Sequence, residues 1–204
     1  LKKEDIHLDL LEQTKLFHFG TLSMTHDEVR EATKFAVEYA KEQGALISFD
    51  PNIREPLWSS MDLARKQVEY GLGMCDILKI SDNEIVWLTG EEDYSKGVAE
   101  LKEKYDIPLI LVSMGKEGSR AYYKDSMVEK SAFVQPNTIE TTGAGDTFMA
   151  CVLHKVLQDG LENLKEEQLD EMLTFANAAA SLITTRKGAL RVMPEEHDIR
   201  EMIG

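Results

Sequence analysis

The stretch Glu140-Thr141-Thr142-Gly143-Ala144-Gly145-Asp146-Thr147-Phe148 sets two glycines and a carboxylate against an apolar run, residues 148–157, that reads as a helix. A helix start offers free backbone N–H groups and the positive end of the macrodipole, and small residues let an anion reach the main chain. Asp146 is out of character there, because a carboxylate repels the anion such a site attracts. Two readings stand side by side. In one, Gly143 and Gly145 make a tight loop and Asp146 caps the helix. In the other, Asp146 accepts a proton from a hydroxyl attacking a bound phosphate, which makes the stretch a centre for phosphoryl transfer to an alcohol.

Upstream, short apolar runs at 16–19, 45–49, 77–80 and 109–112 alternate with helical patterns. One stripe is Val29, Ala32, Ala36, Tyr39 and Ala40, ended by Gly44 and opened by Thr25 and Glu28 at capping-box spacing. Others are Met61, Ala64, Val68 and Leu72; the short segment 82–88 before Gly90; and Tyr94, Val98, Leu101 and Tyr105. Strands separated by helices need crossover connections, and these build a parallel sheet covered on both faces. The fold class is therefore α/β. After Gly118, segments 120–123 and 128–134 around Asp125-Ser126 predict a hairpin at the sheet edge. The helix at 148–157 is apolar nearly all round and should be buried, and Leu169, Met172, Leu173, Ala176, Ala180 and Ile183 stripe a final one. With no repeat or linker, one domain is expected over 1–204.

Acidic residues outnumber basic ones 37 to 23, for a formal charge of -14. That balance argues against nucleic acid or an anionic membrane as partner. It would also repel a phosphorylated ligand, so local N–H donors and a metal ion should carry the ligand's charge. Cys75 and Cys151 stand far apart in apolar settings, as buried reduced thiols do. The five histidines have no metal-cluster spacing. No apolar run is long enough to span a bilayer and no signal peptide is visible, so a cytoplasmic location is expected. The chain opens at Leu1 rather than Met, as a piece of a longer protein would.

In an open parallel sheet, ligands bind outside the carboxyl ends of the strands. Those ends carry three polar segments. Asp50-Pro51-Asn52-Ile53-Arg54-Glu55-Pro56-Leu57-Trp58 offers an acceptor, an amide and a guanidinium on a loop stiffened by prolines. Ser81-Asp82-Asn83-Glu84 reads as an N-cap with a first-turn carboxylate. Ser113-Met114-Gly115-Lys116-Glu117-Gly118-Ser119 reads as a glycine turn.

The run T-T-G-A-G-D-T-F closely resembles the C-terminal motif of the ribokinase-like (PfkB) carbohydrate kinases. The resemblance implies Asp146 as catalytic base and Gly143, Ala144 and Gly145 as the anion hole. F-D-P-N-I-R-x-x-L-W is similar to a fructokinase segment, with a near relative in 2-keto-3-deoxygluconate kinases; it implies Asp50, Asn52 and Arg54 at the acceptor sugar, with Arg54 facing the sugar or the transferring phosphate. Glu84 stands at the glutamate of the family's Asn-x-x-Glu motif, holding Mg²⁺ through water, although Ser81 replaces the asparagine. Ser113, Gly115, Gly118 and Gly145 would contact the nucleotide, and Asn177 in the run 175–180 would line the adenine pocket. The run 184–189 resembles a monovalent-cation loop, with Ile183, Arg186, Gly188, Thr142 and Glu140 as candidate K⁺ ligands; Glu140 stands where aspartate is usual. Cys151 stands where glycine or alanine is usual.

The resemblance thus implies a three-layer αβα sandwich and an ATP- and Mg²⁺-dependent kinase, with K⁺ as a candidate further cofactor and a small sugar as acceptor. The favoured reaction is fructose to fructose 6-phosphate. A 2-keto-3-deoxygluconate kinase and a non-catalytic nucleotide-binding relative or inactive fragment stay open beside it. Only the C-terminal two-thirds of a family member is represented. The first strand, the lid and the N-terminal sugar-recognition residues fall outside it, and a homodimer through that lid is the implied assembly.

Overall fold

The apolar runs form β1 (Leu16–Gly20), β2 (Leu46–Asp50), β3 (Ile77–Ser81) and β4 (Leu109–Ser113), followed by the hairpin strands β5 (Ser119–Tyr123) and β6 (Ser126–Lys130). Eight helices accompany them: α1 (Leu8–Leu11), α2 (Asp27–Glu42), α3 (Met61–Met74), α4 (Asp82–Thr89), α5 (Tyr94–Lys104), α6 (Ala144–Asp159), α7 (Glu166–Ile183) and α8 (Glu196–Ile203). The computed structural model describes every residue, Leu1–Gly204. The strands neighbour one another in chain order, β1 to β6. Two compact units divide the chain, Leu1–Ile110 and Leu111–Gly204.

In the first unit, β1 and β2 run parallel with Leu16 opposite Leu46 and Gly20 opposite Asp50, and β2 pairs parallel with β3 through Ser48–Ile77 and Phe49–Leu78. Such strands cannot connect by a tight turn, and α2 and α3 supply the crossovers. Ala32, Ala36, Val37 and Ala40 form the buried stripe of α2. The stripe follows the sequence pattern, but the start does not. His26 is the N-cap, without a side-chain cap, while the Thr25 hydroxyl donates to the Leu22 carbonyl. Thr25 ends the preceding 3-10 turn, so its hydroxyl faces back into that turn and the Thr25–Glu28 capping box does not form.

The α3 backbone lies directly on the Phe49 ring of β2. A Cβ at Gly71 would sit 2.4 to 2.6 Å from three ring atoms, and Phe49 is itself stacked 4.7 Å from Phe19 with no exposed surface. Only glycine lets the helix come this close.

The second unit is built on the β5–β6 hairpin, with Ser119 opposite Lys130 and Tyr123 opposite Ser126. The turn is Lys124-Asp125 rather than Asp125-Ser126, with Lys124 at φ 51, and β6 ends at Lys130 instead of running on to residue 134. The reason lies at Gly118 (φ 116), where an added Cβ would overlap the Lys130 carbonyl and the Ser131–Ala132 backbone. The two chains cross there and the following residues leave the sheet. Phe133 packs on Ala178, Ala179 and Ile199, and the Ser181 hydroxyl donates to its carbonyl.

Helix α6 begins at Ala144, four residues before the sequence pattern placed it, because Gly143 at φ 80 is the N-cap. Ala144, Gly145 and Asp146 therefore form the first turn. Phe148, Met149, Val152 and Val156 are buried, whereas Leu157 is half exposed, so the helix is apolar on one buried side and not buried all round.

The paired glycines of α3 give opposite expectations. Gly71→Ala should lower stability by about 1–3 kcal/mol through overpacking against Phe49, which outweighs a gain of about 1 kcal/mol in helix propensity. Gly73→Ala, where nothing lies within 4 Å of the new Cβ, should be neutral or stabilising by up to about 1 kcal/mol. Urea unfolding of the two variants checks the contrast.

Candidate active site

The first unit gathers its polar residues at the carboxyl ends of β2 and β3. Asp50, the last residue of β2, is buried, and its Oδ2 lies 2.8 Å from Nζ of Lys79, also buried, on β3. Beyond Asp50 the loop turns sharply. The Pro51 carbonyl accepts from the Thr21 N–H at 3.2 Å and the Thr21 hydroxyl at 2.5 Å, and Asn52 sits in the left-handed region at φ 43. Asn is among the residues that tolerate this conformation, through its short polar side chain. The Ile53 N–H then donates to Glu84 Oε1 at 2.8 Å. Arg54 is exposed, and the only hydrogen bond of its guanidinium runs 3.5 Å to the Ile53 carbonyl.

Glu84 does more than complement a helix dipole. Its Oε2 accepts from the Ser81 N–H at 2.9 Å and the Ser81 hydroxyl at 2.8 Å, while Ser81 Oγ caps the Glu84 N–H at 3.4 Å. The capping box at the start of α4 is complete. With three protein donors on a carboxylate that offers about four lone-pair positions, Glu84 keeps one position open for a further partner. Asp50, Asn52, Arg54 and Glu84 are thus held on one framework within this unit. Lys79 is the member that sequence reasoning passed over; its signal was a single lysine inside an otherwise apolar strand.

In the second unit, the start of α6 is open. The Ala144 N–H donates to the Thr141 carbonyl and the Thr147 N–H to Gly143, leaving the Gly145 and Asp146 amides without an acceptor in the protein. The Asp146 carboxylate is exposed and has no hydrogen-bond or ion-pair partner. Beside it in the chain, the Thr147 hydroxyl is buried and also unpartnered. Asp146 is therefore not the N-cap of this helix; Gly143 is.

The candidate cation loop is drawn together around the same glycine. A Cβ on Gly143 would touch Ile183 Cδ1 and Ala189 at 3.3 to 3.5 Å. Glu140 Oε1 accepts from the Gly188 N–H at 2.6 Å, and the Thr184 carbonyl accepts from both the Ile139 and Glu140 amides. The Ile183 carbonyl takes the Arg186 N–H at 3.1 Å, and the Arg186 guanidinium pairs with Asp198 of α8 at 2.9 Å. This pairing holds the Asp198 carboxyl below the usual carboxylate range, with the Glu195 N–H helping. Thr142 stays exposed. The added methylene of Glu140, compared with aspartate, lets the carboxylate reach the loop amide directly.

The glycine turn after β4 is closed by the Met114 N–H on the Gly118 carbonyl at 2.8 Å, with Gly115 at φ 54 and Gly118 at φ 116. Ser113 is half buried, and its hydroxyl makes no hydrogen bond to the protein. Asn177 differs from expectation. It is buried, its Oδ1 accepts from Ser119 Oγ at 2.9 Å, and its Nδ2 donates to the Lys130 and Ser131 carbonyls at 3.2 and 3.3 Å. Both amide protons bind the hairpin, so Asn177 acts here as a tie between α7 and the end of β6. A cavity of about 380 Å³ in this unit, lined by residues of α6, α7 and α8 such as Cys151, His154 and Phe175, contains none of the predicted site residues. Cys151 faces it as a free thiol that burial pushes up to about 11, and Cys75 is free and buried.

The chain is similar to known carbohydrate kinases. Residues 1–196 match the pfkB family carbohydrate kinases. "Probable fructokinase-2" of Arabidopsis thaliana is 38% identical over 196 residues, covering 96% of this chain and 59% of that protein. Fructokinase-2 of Solanum lycopersicum is 37% identical over 194 residues, covering 95% and 59%. Among solved structures, fructokinase from Vibrio cholerae O395 in its fructose-, ADP- and calcium-bound form superposes with a TM-score of 0.85 at 28% identity, over 94% of this chain and 61% of that one. The fold is the ribokinase-like α/β fold, and the chain belongs to the pfkB family of carbohydrate kinases. It spans 59% of the length of both curated relatives.

The triple bond of Glu84 generates a stability prediction. Glu84→Gln turns one acceptor into a donor that faces the Ser81 or Ile53 N–H, and should cost about 1–3 kcal/mol as a lost charge-assisted hydrogen bond. Urea denaturation reads the loss, and a change below about 0.5 kcal/mol would reduce Glu84 to an exposed first-turn charge.

Proposed function

We propose that residues 1–204 are the nucleotide-binding and catalytic portion of one kinase domain that transfers the γ-phosphate of ATP to a hydroxyl of fructose, giving fructose 6-phosphate. The observation that carries this reading is the start of α6, where an unpartnered, exposed Asp146 carboxylate stands in the same turn as the unbonded Gly145 and Asp146 amides. Similarity to fructokinases supports fructose as the acceptor.

In this reading the Gly145 and Asp146 amides, exposed by the left-handed Gly143, receive phosphoryl oxygens at the positive end of the helix. Asp146 takes the proton of the attacking hydroxyl while that oxygen bonds to the γ-phosphorus and the bond to the ADP oxygen breaks. Arg54 and Asn52 orient the acceptor, Asp50 fixes the loop they stand on, and the turn at Ser113, Gly115 and Gly118 borders the nucleotide. A divalent cation, Mg²⁺, supplies neutralisation of the phosphate charge when bound. Glu84 would hold it through water, with three of its acceptor positions taken by Ser81 and Ile53. No step passes through K⁺, since the Glu140–Gly188 bond already closes the loop assigned to it. No helix is long and apolar enough to cross a membrane, and the proposed setting is the cytoplasm.

Asp146→Asn keeps the shape of the first turn and removes the basicity. In the full chain, kcat for ATP-dependent fructose phosphorylation should fall by about 10²–10⁴-fold, with the KM for ATP little changed. Steady-state kinetics by ADP release test this, and a near-normal kcat would remove Asp146 from the mechanism. Running the same assay with 2-keto-3-deoxygluconate decides the acceptor: faster turnover of that acid than of fructose would overturn the fructose assignment.

A further inference from the structure

Lys79 has no role in the mechanism just described, yet it is the buried cation at the carboxyl end of the strands. Its side chain is 9% exposed and that of its partner Asp50 5%, with 2.8 Å between Nζ and Oδ2. Asp50 follows directly on the Phe49–Leu78 pair of the β2–β3 register, as Lys79 does on the other strand, so the two meet across the ladder at its last step. A buried ion pair adds little net stability compared with an apolar pair of similar volume, because both ions lose their hydration. Stability alone therefore does not account for a lysine at this position. Geometry does, because the pair fixes where β2 ends.

We propose that Lys79 is a positioning residue for the sugar-kinase reaction: by locking Asp50 it sets the course of loop 51–54 and so the place of the Arg54 guanidinium. The proposal rests on the kinase reading above. The loop is tied at three successive points, namely Asp50 to Lys79, the Pro51 carbonyl to Thr21, and the Ile53 N–H to Glu84. Asn52 lies between these ties in a left-handed conformation that an untethered asparagine would readily leave. Arg54, one residue past the last tie, forms no ion pair, and its guanidinium touches only its own neighbour's carbonyl at 3.5 Å. Its direction is therefore inherited from the loop backbone. Of the three ties, the Lys79 pair is the one between two charged groups, and it stands at the point where the strand becomes the loop.

The test uses Lys79→Met in the full chain, alone and combined with Arg54→Ala. Lys79→Met should lower kcat/KM for fructose by up to about 10²-fold, the scale of a misplacement near 1 Å, and leave the KM for ATP nearly unchanged. In the Arg54→Ala background the same substitution should have almost no further effect, since residues acting as a unit are not additive. Independently of turnover, amide hydrogen exchange in a peptide covering residues 50–57 should speed up by roughly tenfold or more, while exchange in α3 stays unchanged. Should Lys79→Met not fold, Lys79→Gln, which keeps a donor for Asp50 and removes the charge, carries the same comparisons with smaller effects, and Lys79→Arg should restore most of the activity. Losses that add fully to those of Arg54→Ala, or unaltered exchange in the loop, overturn the proposal. A wild-type chain that phosphorylates no sugar would sink the kinase reading instead, and the exchange comparison would still decide whether Lys79 holds the loop.

Discussion

Parallel pairing of β1, β2 and β3 is the constraint from which the first unit follows. Parallel strands buried on both faces leave little room for polar side chains along their length, and all their carboxyl ends fall on one edge. Gly20, Asp50 and Ser81 close their strands on that edge, and each then serves the segment that follows. Gly20 has no side chain because the Asp50 carbonyl would lie 2.7 Å from its Cβ. The Thr21 bonds to Pro51 bind the exits of β1 and β2 to each other, and Glu84 binds the exit of β2 to the start of α4. Loop 51–54 is therefore shaped by strand order before any ligand arrives.

Carboxylates hold much of this main chain in place. Glu84 takes the Ser81 and Ile53 amides, Asp76 takes the Ile47 amide at 2.7 Å, and Glu140 takes the Gly188 amide. Bonds from an amide to an ionised oxygen are about twice as strong as neutral ones. They also explain how a chain of formal charge -14 places acidic residues inside its loops: several of these charges serve as fixed acceptors. Asp146 is different in kind. It stands in a first helical turn, exposed and without a partner, where a structural carboxylate would have found the free amides of its own turn.

The strands and most helices were legible because each rests on a local pattern: continuous apolar runs for β2, β3 and β4, and a 3.6-residue stripe for α2, α3, α5 and α7. What was not legible depends on contacts distant in sequence. The Ser81–Glu84 box could be read from spacing, but the Ile53 bond to Glu84 joins residues 31 apart and left no mark in either segment. Lys79 passed unremarked inside the apolar run 77–80 because its partner, Asp50, lies 29 residues away. Asn177 read as a ligand contact since nothing in the run 175–180 announces the Lys130 and Ser131 carbonyls it serves. The start of α6 was misplaced for a local reason: Gly145 lowers helix propensity, yet Gly143 at φ 80 makes a compact entry that admits it to the first turn.

For an acidic chain proposed to handle a polyanion, the range of its charges matters. At physiological ionic strength, charges beyond about 8 Å are largely screened where they face solvent, so most of the formal charge does not reach a phosphate at the start of α6. What a phosphate placed there would meet is local: the Gly145 and Asp146 amides and the Asp146 carboxylate. The amides attract and the carboxylate repels, and a helix N-terminus adds only about half a unit of positive charge. In the proposed mechanism the repulsion from Asp146 falls when it takes up a proton, as the acceptor hydroxyl loses its own. A base in this position therefore becomes less repulsive as negative charge builds on the transferring group, which is the differential stabilisation of the transition state that catalysis requires.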